Sequence, residues 1–159
     1  EVSLFFDKHF DVNIINKYTE IHEDFENSVS LLAGISDYLA NKNYCTRNLI
    51  IGDELHQLAG HSPKENHDRI LDLCCTIEEN PKMEKLEISG FALDAIKNTS
   101  GLVLILQCYD KSREVLVERL VSFGLPCKII LLGKKEVAHA GICDFLAYED
   151  LKKGSLSYL

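Results

Sequence analysis

Hydrophobic and polar positions alternate in blocks along this chain, and the blocks change period. Val2 to Phe6 (VSLFF) is a short continuous apolar run, the pattern of a strand buried on both faces. From His22 to Asn41 the period lengthens to that of a helix: Phe25, Val29, Leu32 and Leu39 share one face, and Asn27, Ser30, Asp37 and Asn41 the other. RNLIIGDELHQLAG reads as two short strands joined at Gly52-Asp53, residues that tolerate the positive φ of a hairpin tip. Ser62, Pro63 and Glu65 form a capping-box signature with proline at the first helical position. The helix they open carries an apolar stripe of Ile70, Leu71, Cys74 and Ile77 and is expected to end at Pro81. A second helical stretch is predicted over Phe91 to Asn98.

GLVLILQCY (Gly101 to Tyr109) is the strongest strand pattern. Asp110 or Ser112 then caps a helix with Val115, Leu116, Leu120 and Val121, closed by Gly124 and Pro126. CKIILLG (Cys127 to Gly133) follows as a strand, which makes a βαβ unit with a parallel, right-handed crossover. ICDFLAY adds an edge strand, and Glu149 to Lys153 a terminal turn stopped by Gly154. The expected fold class is α/β: a doubly wound, mostly parallel sheet with helices on both faces and one antiparallel edge hairpin.

Length and composition add limits. The 159 residues suit one domain spanning 1–159, large enough to fold without disulfide or metal staples. Seventeen Lys and Arg against 25 Asp and Glu give a formal charge of -8, which argues against nucleic-acid binding and against a basic membrane-surface patch. Most of the six cysteines lie in apolar runs, so they read as core thiols of a protein in a reducing, cytoplasmic compartment. No apolar run is long enough to span a bilayer. The chain opens within a strand pattern without Met, so it is expected to be a domain excised from a longer parent, with any inner-membrane anchor upstream.

In such a sheet ligands bind beyond the carboxyl ends of the strands, where strand order reverses. That directs attention to Asp7-Lys8-His9-Phe10-Asp11 and to Gln107 through Ser112. Asp7, Asp11 and Asp110 could hold a hard cation such as Mg²⁺ or Mn²⁺ through oxygen. The plainer reading has Asp7 and Asp11 capping their loop and Asp110 capping the next helix. Asp7 also invites a phosphatase reading, as a nucleophilic Asp after a buried strand, but His9 stands where the general acid belongs and no later Lys or acidic pair matches. His56, His61 and His67 could meet at a zinc ion, although their spacing fits no standard pattern and a solvated loop is the alternative. Cys74 and Cys75 read as buried thiols in a helix rather than as a redox pair. Phosphate-binding glycine loops and a nucleophile elbow are absent from the sequence, and no Ser, His and Asp set sits at convincing strand ends.

These residues and their order resemble the von Willebrand factor A-like fold. More narrowly, they resemble the last domain of the bacterial proteins called domain of unknown function fifty-eight. The match runs from Val2 to Gly133: the apolar strand ending in Asp7, FENSVSLLAGISDYL, LIIGDELHQLAG, NHDRILDLCCTIEE, GLVLILQCYD and VLVERLVSFGLPCKIILLG. The resemblance implies an association with MoxR-type AAA+ ATPases. It also implies a metal-ion-dependent adhesion site built on D-x-S-x-S after the first strand. Here His9 and Asp11 replace the two serines, and Cys108 holds the place of a later supporting Asp unless Asp110 substitutes for it. The leading expectation is therefore a non-enzymatic protein-interaction domain without a cofactor. Its binding face would comprise Asp7, His9, Asp11, Tyr109, Asp110 and Lys111, and its partner a MoxR-type ATPase or a complex one assembles, met through a patch rich in Lys and Arg. Divalent-cation-dependent binding through Asp7, Asp11 and Asp110 is the second expectation, and a phosphatase using Asp7 the third.

Overall fold

A computed structural model describes residues 1–8, 18–51, 55–58, 60–78, 94, 96–132 and 144–147. Six strands form one sheet: β1 (Val2–Asp7), β2 (Thr46–Ile51), β3 (Leu55–Leu58), β4 (Gly101–Leu106), β5 (Cys127–Leu131) and β6 (Asp144–Ala147). Among the described residues, three helices belong with them: α1 (Tyr18–Asn41), α2 (Pro63–Cys74) and α3 (Lys111–Val121). The strand order is β3-β2-β1-β4-β5-β6. Every neighbouring pair is parallel except β2 with β3, which run antiparallel at one edge. This is the doubly wound α/β class expected from the sequence, with the order reversing between β1 and β4. The expected hairpin is present in its two paired strands, while its tip at Gly52-Asp53 lies outside the described residues.

Strand periodicity splits the core in two. Phe5, Leu49, Leu102, Leu104, Leu106, Ile129 and Leu131 face one side and pack with Leu116, Val117 and Leu120 of α3 and with Ile96. Leu4, Phe6, Ile50, Ile105 and Ile130 face the other and meet Phe25, Leu32, Ile35 and Leu39 of α1 and Ile70 of α2. Both faces of β1 and β4 are thus covered, which is why these strands read as unbroken apolar runs.

The helix ends follow local chemistry. Ser62 caps α2, its hydroxyl accepting from the Glu65 amide at 3.2 Å, while the Glu65 carboxylate accepts from the His61 amide at 2.8 Å. Asp110, not Ser112, caps α3. Gly124, at φ 71°, closes that helix in the left-handed region.

Several expectations need correction. The apolar stripe of α3 is Leu116, Val117 and Leu120, in line with Arg113, so Val115 points outward and is 53% exposed. In α2 the buried line runs through Asn66 and Ile70 with Leu73 and Cys74 packed beside it, which leaves Leu71 exposed. That helix ends at Cys74 with Cys75 as its C-cap, well before Pro81. Among the described cysteines, Cys108 and Cys127 are buried; Cys74 is intermediate and Cys45 and Cys75 are exposed, because they lie at a loop and a helix end. Cys143 lies outside the described residues, as do the terminal turn and most of the stretch from Phe91; Asp94, Ile96 and Lys97 are helical. Among the described residues no helix is long and apolar enough to cross a membrane.

Candidate functional site

β1 and β4 pair side by side, with Asp7 opposite Leu106, so their carboxyl ends meet at one crevice. Alternation puts Asp7 on the same side as Phe5, facing α3. The residue of α3 that meets it is Arg113, which continues the buried stripe of Leu116, Val117 and Leu120. Asp7 has no exposed surface and Arg113 is 1% exposed.

Arg113 grips two carboxylates. Its Nε donates to Asp7 Oδ2 at 2.8 Å, and Nη2 lies 2.8 Å from the same oxygen without the alignment of a hydrogen bond. Nη1 donates to Asp110 Oδ2 at 2.9 Å. The other Asp110 oxygen accepts from the Arg113 backbone amide at 2.9 Å, which is the helix cap. Burial works against the guanidinium's charge, but Asp7, Cys108 and Asp110 outweigh it and hold Arg113 above the ordinary arginine range. The arrangement ties the end of β1 to the first turn of α3 through a permanent charge.

On the opposite side of β4, the Gln107 side-chain amide donates to the Ser28 hydroxyl, and Ser28 donates to the Phe25 carbonyl at 2.6 Å. Gln107 and Ser28 are both buried. The loop after β4 is therefore anchored to α1 as well as to α3.

The binding-face residues separate accordingly. The structure brings Asp7 and Asp110 together on either side of Arg113, where each is engaged by the guanidinium rather than facing a gap between carboxylates. Tyr109 is half-buried against the core on the α3 side. Lys111 projects outward, 83% exposed, with Nζ 2.7 Å from Glu114, which raises its pKa. His9 and Asp11 lie outside the described residues. Of the three histidines, His61 is exposed and the side chain of His56 is outside the description. His67 departs from the solvated-loop reading: Nδ1 is 3.2 Å from Ser36 Oγ and Nε2 is 3.7 Å from Asp37, which joins α2 to α1. Among the described residues no three His, Cys, Asp or Glu side chains are grouped to hold a metal ion.

The sequence reading missed Arg113, although an arginine in the apolar stripe of a helix calls for a buried acid. It also missed a cleft of about 680 Å³ at the opposite, amino-terminal end of the strands, between Gly34 and Tyr38 of α1 and Val2, Leu102 and Pro126.

No family model matches the chain, and no curated protein matches its sequence. Solved structures do resemble it. Proximal thread matrix protein 1 from the mussel byssus superposes with a TM-score of 0.52 at 13% identity, over 96% of this chain and 42% of that one. The human COPII-coat protein Sec24c gives 0.49 at 9% identity, over 96% and 30%. A von Willebrand factor type A structure from Catenulispora acidiphila gives 0.46 at 10% identity, over 96% and 35%. The chain thus spans less than half the length of each. The likeness to the mussel protein is one of fold alone.

Proposed function

We propose that this is a domain of von Willebrand factor A-like architecture that docks another protein and performs no catalysis. The observation that carries the reading is the Asp7–Arg113–Asp110 bridge, which occupies the crevice where such a sheet offers its ligand site. Asp7, the nucleophile of the phosphatase alternative, is fully buried and already accepts from Arg113. A nucleophile needs access to its substrate and an activating group beside it. The scaffold is kept while its acidic groups serve internal pairing, which suits recognition by surface shape and charge.

By the sequence resemblance, the partner is a MoxR-type AAA+ ATPase or a complex it assembles. The docking face comprises His9 and Asp11 after β1 together with Tyr109, Asp110 and Lys111 at the start of α3. A net charge of -8 favours a partner surface rich in Lys and Arg. The test is binding of a purified MoxR-type ATPase to the longer parent protein, comparing wild type with His9→Ala/Lys111→Ala. Truncating both side chains is expected to weaken binding about tenfold, which corresponds to ~1.4 kcal/mol. Equal affinities would remove this face, and no binding of the wild type would remove this partner.

A further inference from the structure

The family that the sequence resembles holds a divalent ion after the first strand, with support from an acidic residue after the later one. The residues present here do not fit that ion. Asp7 Oδ2 is taken by Arg113 Nε, with Nη2 equally close, both at 2.8 Å. Asp110 has one oxygen on Arg113 Nη1 and the other on the cap of α3, each at 2.9 Å. Asp7 and Arg113 are sealed from solvent. A metal entering between the carboxylates would have to displace a guanidinium into the core, leaving a buried cation unpaired at a cost no surface charge incurs.

We infer that Arg113 is the resident cation of this crevice, standing in for the metal, so that this domain's fold and its strand-end face are independent of divalent ions. An arginine cannot lose its charge near neutral pH, and no chelator can remove it. A face built this way is permanently assembled: it does not respond to cation concentration, and its partner cannot complete the coordination of a shared ion. This inference rests on the geometry of Arg113 and stands or falls separately from the docking reading.

The test is thermal unfolding of the wild-type chain in 10 mM MgCl₂, in 10 mM MnCl₂ and in EDTA, matched for ionic strength. The three midpoints are expected to agree within about 1 °C. An ion present at ten times its dissociation constant would raise the midpoint of a chain this size by about 3–6 °C, and such a rise would overturn the inference. A second measurement is a Mn²⁺ titration followed by NMR. The amide signals of Asp7, Lys8 and Asp110 are expected to keep their intensity, and selective broadening of these signals at low Mn²⁺ would equally overturn it. As a third arm, Arg113→Gln is expected to lower the midpoint or to abolish folding, and an unchanged midpoint would show that the guanidinium is not the cation the crevice requires. The ion and NMR arms use the native chain, so the inference stays testable if Arg113→Gln does not fold. Loss of partner binding with these results intact would count against docking only.

Discussion

Removing the guanidinium while leaving its acids in place is the sharpest perturbation this molecule offers. In Arg113→Met the long apolar stem keeps much of its packing, but Asp7 becomes a carboxylate with no exposed surface and without its cation. Breaking a buried pair from one side costs about 3–5 kcal/mol, because the remaining charge is stranded. For a chain of this size that lowers the melting temperature by roughly 6–20 °C. Asp7→Asn is milder. The amide oxygen can still accept from Nε, and Arg113 keeps Asp110 at 2.9 Å, so the expected loss is about 1–3 kcal/mol. The double variant Asp7→Asn/Arg113→Met strands no charge and should lose less than the two single costs together, with a coupling of about 1–3 kcal/mol. Urea unfolding followed by far-ultraviolet circular dichroism measures all four proteins; the chain has no tryptophan to report by fluorescence. Single costs that add within about 0.5 kcal/mol would refute the reasoning, since side chains in one buried ion pair cannot act independently.

Other outcomes follow from the same structure. Leu104→Ala, at a fully buried site in the central strand β4, should cost about 2–5 kcal/mol in urea unfolding; a cost near zero would contradict a strand covered on both faces. Thiol labelling at pH 8 should modify exposed Cys45 and Cys75 first. Burial and the neighbouring Cys75 push Cys74 from 9.0 up to about 11, so its thiolate is about 100-fold scarcer and mass spectrometry should find it labelled later than Cys75. Glu65 is held below its usual 4.5 by the His61 amide and by Arg69. A lowered carboxylate value means that its stabilisation is complete above pH 4.5 and lost as pH falls through the depressed value. The melting-temperature gap between wild type and Glu65→Gln should therefore close in acid, and a gap that widens would reverse the assignment. Ser62→Ala should cost about 1 kcal/mol through loss of the α2 cap, read as a shifted urea midpoint.

Much of this architecture was legible because burial on both faces leaves an unambiguous trace. VSLFF and GLVLIL have no polar face to confuse their period, and they became adjacent parallel strands. The sequence placed the cap of α3 at Asp110 or Ser112, and the structure selects Asp110. Helix boundaries were less legible: α2 ends at Cys74 with Cys75 as its C-cap, while the proline sits seven residues on and Ile77 still packs against the core from beyond the helix. Val115 and Leu71 were misplaced because composition marks a residue as apolar, whereas only its angle about the helix axis decides which way it points.

The candidate site was half legible, and the missing half reverses its meaning. Asp7 and Asp110 lie on either side of Arg113, and in the sequence two acids at converging strand ends suggest an absent cation. Their counter-charge comes from position 113, three residues past the cap, where helical spacing turns a nominally polar side chain inward. Arg113 lies in register with Leu116, Val117 and Leu120, all buried, so its guanidinium can only be accommodated by acids at the sheet's end. Strand alternation supplies one: Asp7 lies two residues beyond Phe5, on the side α3 covers. The helix cap supplies the other, because an N-cap Asp and the residue three positions on are neighbours by construction. The bridge is thus a consequence of two periodicities meeting, period two along β1 and 3.6 along α3. An acid pair at such a crevice indicates a metal only after the inward stripe of the neighbouring helix has been searched for a cation.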